Sequence, residues 1–592
     1  MISIRRVATG LAGTALIAAG LTLTALPQPA NASTLTISGK VTDQGTGGGI
    51  AGACITVGVP GNFCWTTTNA TGDYFIDLGA LAANSGQSWD IFFIKGGYTT
   101  TDQTVVVSGP TTLNLAMTAN GQPISTTPPP PCATPPTPGC SLNPPPPVAT
   151  GPTYTVYLPN ITKTLGGTDG WHTPFIVQDV GTVSTSLTVN FYRFSDGSLA
   201  ASHAATVLPG RSFVDEPNAD TDLTDNTQYS VIVTSVGAPV VVVVNEHQGP
   251  GAGNEALSYS GITSGSAQVF LPLVSDQANG WLTTLIMQNL GTGSATIHAT
   301  FKSLDGSLSA TITKTAAPGQ STVIDPRFES ALQAGVEYSA VVVADQQIGV
   351  VANNHHDLPG ITPAMGDSYN GIDTTGAVAY LPYIAKNTDG VSRSSRVVVM
   401  NAGTAAATPT ITLYPFGGGS PTNVPAISIP ASGSFVFTPP TPDGEYSAVI
   451  TGGTFVAVVA TTSTLTAMYY PSMSAPQAKL YMPNVTRTLT LSPATDPGWT
   501  TPILLQSGGA TSATLTWYRF SDGSEVTSQT VSLNQNVTTR VDPRTVTGLS
   551  DNTQYAVVLT TTGGSVVSLV TELDLVGGDD AMIYRGFAAP TP

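Results

Sequence analysis

One pattern recurs four times along most of this chain, and the recurrence limits the fold more than any single residue does. Tyr157-Leu-Pro159, Phe270-Leu-Pro272, Tyr380-Leu-Pro382 and Tyr481-Met-Pro483 are spaced by 113, 110 and 101 residues. A tyrosine that follows a turn returns at Tyr229, Tyr338, Tyr446 and Tyr555, spaced by 109, 108 and 109. Gly-Trp recurs at Trp171, Trp281 and Trp499, with Val391 in the third copy. Asp-Gly-Ser recurs at Asp196, Asp305 and Asp522, and the third copy has Gly417-Gly-Gly-Ser420 there. Self-similarity at a fixed period means that one structural unit is repeated. Each copy of about 109 residues is long enough to bury its own core.

Within copy one, strands are expected near 154–158, 174–178, 185–194, 199–207, 228–235, 239–246 and 256–261. Leu187, Val189 and Phe191 alternate with Thr188, Asn190 and Tyr192, the period of a half-buried strand. Val240–Val244 is an unbroken apolar run, expected of a strand covered on both faces. Asp196-Gly197 signals a tight hairpin. Seven short strands with frequent turns predict an immunoglobulin-like sandwich without the Cys…Trp…Cys pattern of true immunoglobulin domains. The recurring Trp and Tyr are expected to anchor cores and corners. A unit of this size is roughly 35 Å across, so four in line would reach on the order of 140 Å. The copies resemble, in architecture, the tandem β-sandwich repeats of large bacterial surface proteins.

A separate unit precedes them. Ile37–Val41, Ala53–Val57, Asp73–Ile76, Ser88–Ile94, Gln103–Val107 and Thr111–Met117 read as strands bounded by turn residues. The segments Ser38-Gly-Lys-Val-Thr-Asp43, Gly49-Ile-Ala-Gly-Ala-Cys-Ile-Thr-Val57 and Thr66 to Tyr74, with Gly72 before the aromatic, resemble the carboxypeptidase regulatory-like domain. That resemblance implies a transthyretin-like β-sandwich, grouped with carbohydrate-binding-like folds, acting as a non-catalytic accessory module. It implies no peptidase activity. The whole chain is therefore expected to be all-β. Its parts are a signal peptide (1–32), the small sandwich (33–120), a Pro-rich linker (121–153) and sandwich repeats at 154–265, 266–376, 377–476 and 477–592.

The leader has Arg5 and Arg6, an apolar stretch from Val7 to Leu26 and the small-residue site Ala30-Asn-Ala32, the marks of an export signal. No later apolar run reaches 18 residues, so no transmembrane anchor is expected after signal removal. Twelve of the thirty residues in 121–150 are Pro, which favours extended polyproline II over a reach of up to roughly 90 Å. Cys54, Cys64, Cys132 and Cys140 are an even set in an exported chain, as in disulfides. Three connectivities are open, and 54 with 64 plus 132 with 140 is favoured by proximity.

Charged residues are only 9% of the chain and the net charge is −17, or −19 without the leader's two arginines. Such a surface lacks the basic face that nucleic acid requires and the charged faces that helical arrays require. Sparse charge also fits lateral packing or self-association.

The search for chemistry yields little. His247 and His355/His356 follow the Val-rich strand in copies one and two, in Asn245-Glu-His-Gln248 and Asn353-Asn-His-His-Asp357. Imidazole beside carboxylate suits a transition metal or proton transfer. Copies three and four lack the histidine, so these are expected to be polar loop rims. Asp215-Glu216 and Asp579-Asp580 are expected to be solvated turns. Gly47-x-Gly49-x-x-Gly52 lacks the helix that a dinucleotide site needs. No H-E-x-x-H, P-loop, G-x-S-x-G or C-x-x-C occurs. The expectation is therefore no enzyme, no catalytic or metal residues and no cofactor. Trp65 and Trp171 are the candidate ligand-binding residues, suited to stacking on sugars. The expected partners are cell-envelope or extracellular polymers, polysaccharide or protein, or further copies of the chain. The expected function is a secreted, non-catalytic bacterial surface or extracellular structural and adhesive protein, with a carbohydrate-binding accessory protein as the alternative.

Overall fold

A computed structural model of the chain describes residues 36–57, 66–69, 71–77, 87–95, 97–99, 101–107, 111–119, 151–167, 170–248, 255–388, 390, 392–490, 498–521, 523–574 and 581–590. The leader, the Pro-rich linker, Trp65, Cys64, Cys132, Cys140, Asp522 and Asp579-Asp580 lie outside the described residues. Among those described, every long element is a strand and there is no α-helix. The chain is all-β, built of tandem sandwiches.

The first unit has two four-stranded sheets. Thr36–Asp43 pairs antiparallel with Asp73–Asp77 and parallel with Thr111–Thr112 and Leu115–Met117. Cys54–Val57, Gln87–Ile94 and Thr101–Val107 build the second sheet with Thr66–Thr67. Ile37, Val41, Ile55, Ile76, Ile91 and Phe93 fill the space between them. Gly72 holds φ +84°, and a Cβ there would meet the Val41 carbonyl at 2.4 Å, so the turn before Tyr74 requires glycine. Cys54 is buried on its strand.

In copy one, the strands Leu199–Val207, Thr185–Arg193, Thr227–Val236 and Thr153–Lys163 form one sheet. Trp171–His172, Val240–Gln248, Phe175–Asp179 and Ser212–Asp215 form the other, with Ala256–Ser260 added beside Val240–Gln248. Copies three and four repeat the two-sheet plan. Copy two differs: Val336–His355 runs unbroken for 20 residues and joins both sheets into one of seven strands. The reason lies in the sequence. Copies one, three and four break this strand at Gly237-Ala-Pro239, Gly452-Gly453 and Gly563-Gly564, whereas copy two has Asp345-Gln-Gln347, with no breaker.

The recurring tyrosines form corners. Tyr229 accepts from the Thr224 amide at 2.8 Å, Tyr338 from Gln333 at 2.8 Å and Tyr555 from Ser550 at 2.8 Å. Tyr446 donates to the Pro442 carbonyl at 2.9 Å. Each fixes the backbone a few residues upstream, as in other sandwiches. The Leu-Pro (Met-Pro) motif marks a bulge in the first strand of every copy, where pairing with the tyrosine strand shifts register. Proline lacks a ladder donor and is tolerated at such a point.

The in-line array is not what forms. The four copies close into a ring. Val243, Val351, Val458 and Leu569 are register-equivalent on the outer face of the apolar strand, and all are fully buried. Val351 lies in the core of copy one, Val458 in that of copy two and Leu569 in that of copy three. Val243 of copy one lies in the core of copy four. Every copy thus buries the same face in its predecessor, and the first buries it in the last. A head-to-tail interface makes a ring when its rotation closes. The last strands, Ala256–Ser260, Gly366–Asn370, Ala467–Pro471 and Ala581–Arg585, meet in a circuit around the ring's axis.

Candidate functional site

The seams between copies are polar as well as apolar. The Leu-Pro bulge turns a carbonyl outward: Ser321 of copy two donates to Pro159 O at 2.8 Å, and Thr538 of copy four to Pro382 O at 2.8 Å. Gln288 donates to Val231 O at 3.3 Å, and Gln506 to Ala448 O at 3.1 Å. Arg396–Glu337 at 2.6 Å and Arg540–Glu445 at 2.5 Å bridge the second and third seams.

Two buried glutamates join copies near the axis. Glu246 accepts from Asn160 of its own copy at 2.8 Å and from Asn353 of copy two at 3.1 Å. Glu572 accepts from Asn484 at 2.9 Å and from Asn245 of copy one at 3.0 Å. Burial raises each carboxyl to about 7. Asp367 of copy two accepts amide N–H bonds from Ser258 of copy one at 3.1 Å and Tyr469 of copy three at 2.9 Å.

The histidine segments converge on the seam between copies one and two. His172 and His247 face each other across paired strands, ring centroids 5.6 Å apart. Burial drives His247 down to about 3, so its imidazole is neutral. His355 Nδ1 is 2.7 Å from the Glu255 carboxylate of copy one, whose other oxygen accepts from His356 N at 2.8 Å. Burial opposes the charged form of His355, but Glu255 outweighs it and the pKa is raised. Trp171 sets its edge against His355 at 5.3 Å. Trp281 lies on His356 at 4.8 Å and on Tyr469 of copy three at 5.3 Å. This arrangement fastens copies and leaves Trp171 partly exposed.

Two expectations change here. Trp171 lies against a seam, and Trp281 packs on the core of copy two while also reaching Tyr469 of copy three. His247 and His355 lie at the ends of strands rather than on loop rims, and His355 sits in the seam.

Asp215-Glu216 is not the solvated turn that its sequence predicts, for both residues are buried. Asp215 ends a strand and Glu216 caps the short 3-10 turn Pro217–Ala219. His203 lies between two aspartates, with Nε2 2.9 Å from Asp220 and Nδ1 3.5 Å from Asp215. Burial opposes its charge, but the two carboxylates prevail and raise it to about 10. Burial raises Glu216 to about 8. His203, Asp220 and Asp222 have ligand atoms that all lie within 4.8 Å of one another. The first sandwich covers this cluster. Thr99 donates to Ala204 O at 3.3 Å, and Asp102 pairs with Arg211 at 3.2 Å. His203 and Asp220 carried no motif. The available signal was the mismatch between copies, since Ile312 and Ile324 occupy the places of His203 and Asp215 in copy two.

No family model matches the chain, the carboxypeptidase regulatory-like expectation included, and no curated protein matches it. Among solved structures, it is similar to the full-length RrgB pilus protein of Streptococcus pneumoniae, at 9% identity over 78% of this chain and 96% of that one, with a TM-score of 0.13. It is also similar to BcpA, the major pilin subunit of Bacillus cereus, at 11% identity over 58% and 94%, with a TM-score of 0.11. An adhesin with which an Antarctic bacterium binds ice matches at 13% identity over 74% and 98%, with a TM-score of 0.09. Likeness at such TM-scores carries no weight for function.

Proposed function

We propose that this chain is a secreted, non-catalytic bacterial surface or extracellular protein with a structural and adhesive role, its four-sandwich ring serving as a rigid head. The observation that supports it most is the closure of the ring. Each copy spends its adhesive face on a neighbour, so the assembly is complete within one chain. What remains outside is a set of sheets with few charges. Their exposed rows are hydroxyl-rich, as at Thr300–Thr311 and Thr514–Thr530, hydrogen-bonded at 3.1 and 2.9 Å. Rows of this kind suit contact with polysaccharide or protein in a cell envelope. The small sandwich acts as an accessory module, and an even set of four cysteines fits an exported chain.

Immunogold labelling of cells, together with pull-down on purified envelope polymers, tests this. Label at the envelope and retention of the full chain are expected. Label confined to the cytoplasm would sink the proposal.

A second reading follows from Trp171, which stays partly exposed beside the polar seam. On that reading the chain binds carbohydrate. Glycan-array signal lost in Trp171→Ala, with unchanged melting temperature, is expected, and a blank array counts against it.

A further inference from the structure

We propose that His203, Asp220 and Asp222 bind a divalent transition-metal ion of the Zn²⁺ or Mn²⁺ type at the joint between the first sandwich and copy one of the ring. Three observations carry this, and none depends on the proposed surface role.

The first is geometry. The imidazole Nε2 and the two carboxylates present ligand atoms within 4.8 Å of one another. The other ring nitrogen, Nδ1, faces the Asp215 carboxylate at 3.5 Å. A metal-bound histidine is commonly oriented by a carboxylate on its far nitrogen. A mixed set of imidazole and carboxylate suits zinc or manganese better than calcium.

The second is a buried polar atom without a partner. A cavity of about 30 Å³ lies against His203, Asp215, Glu216 and Asp220, room for one water or one ion. Glu216 is 6% exposed, yet its Oε2 has no hydrogen-bond partner among the described residues. Lys95 of the first sandwich also lines the cavity, but no ion pair joins it to these carboxylates among the described residues. A buried carboxyl oxygen without a partner is costly whether the group is neutral or charged, and a bound cation relieves it.

The third is the comparison between copies. The same 3-10 turn occurs in copies two and four, with Asp325 and Asp542 as caps. There an arginine two residues on neutralises the cap, Arg327 at 2.7 Å and Arg544 at 2.6 Å. Copy one has Asn218 at that place, so its cap, Glu216, lacks this cation. The wall changes in step. Ile312 and Ile324 in copy two correspond to His203 and Asp215, and in copy four Val541 corresponds to Asp215. Relative to copy two, copy one has thus exchanged two isoleucines and the arginine for His203, Asp215 and Asn218 while keeping a carboxylate at the C-cap, Asp220 in place of Glu329, and it does so where the first sandwich sits through Thr99 and Asp102. In that position the ion would fasten the two units together.

The test uses the full mature chain, stripped with chelator, then titrated calorimetrically with Zn²⁺ and followed by the visible spectrum of Co²⁺ in its place. One equivalent is expected to bind and to raise the melting temperature. Asp222 is exposed, so Asp222→Asn should fold normally while weakening Zn²⁺ at least tenfold. Asn218→Arg, which installs the arginine of copies two and four, should abolish the Co²⁺ spectrum without lowering the melting temperature. No one-to-one binding, or binding that both variants leave unchanged, overturns the proposal.

Discussion

Leu569 shows what one side chain does in a closed array. It belongs to copy four but is buried in the core of copy three. Leu569→Ala leaves a hole in a core the residue does not belong to by sequence, with an expected cost of about 2–5 kcal/mol. Urea unfolding should show this loss in the intact chain. A cost near that of a surface substitution, within about 0.5 kcal/mol, would mean the seam is absent in solution. The apolar run Val240–Val244 made half of this legible. Burial on both faces was readable from the unbroken valines. What covered the second face was not, because the partner is copy four, more than 230 residues away. The glutamates give a pH dependence. Burial holds Glu246 and Glu572 at pKa values of about 7 in the fold, against an ordinary 4.5. A carboxyl with a raised native pKa keeps its proton in the fold after the unfolded chain has lost its own. Its contribution is therefore fully present below about pH 4.5 and is lost as pH rises through about 7. Denaturation midpoints should fall across that window, and Glu572→Gln should flatten the slope. An unchanged slope in that variant would contradict the buried assignment.

At the scale of elements, the four seams are built from the same parts but not with the same completeness. The first and third seams each have the glutamine and the hydroxyl that reach the preceding copy. At the closing seam the equivalents are Gln178 and Ser212, and neither side chain finds a partner among the described residues. Arg211 reaches Ser521 O there instead, beside a cavity of about 80 Å³. Buried polar groups without partners destabilise their surroundings by about 1–3 kcal/mol each. Amide exchange should therefore open the seam between copies four and one before the other three, with Phe175–Asp179 and Lys479–Arg487 exchanging ahead of their equivalents Leu282–Asn289 and Ala379–Lys386. Uniform protection on all four seams would refute it. Element positions were nearly all legible, since strand periodicity and turn residues are local signals. The cluster around His203 was not, because its members come from a strand, a cap and a turn that only the folded sandwich brings together. The buried Asp215-Glu216 pair looked like a turn for the same reason.

At the scale of the whole molecule, the repeat count was visible in the sequence and the closure was not. Tandem sandwiches joined by short linkers more often suggest a rod, and a rod suits a chain with a Pro-rich stalk. What decides between rod and ring is whether the outer face of one sheet in each copy is solvated. Here that face is apolar in every copy, including the first and the last, at Val243 and Leu569. A rod would leave the face of copy one in water; a ring leaves none. Closure also gives the sparse charge a physical role, because each copy presses on two neighbours and a charge buried unpaired at either seam would be costly. The two shapes scatter X-rays very differently. A compact chain of this size has a radius of gyration of about 25 Å, whereas four sandwiches in line would exceed roughly 40 Å. Small-angle scattering of the mature chain should give a value near the first, raised modestly by the linker. A wild-type value already near the rod would remove the ring. An aspartate at the closing face, Val243→Asp, should leave that value near the compact one, because the other three seams still hold the copies in their circuit, but should lower the urea midpoint through the cost of a charge buried in the core of copy four. A stability within about 0.5 kcal/mol of the parent's would show that this face is solvated and the circuit open.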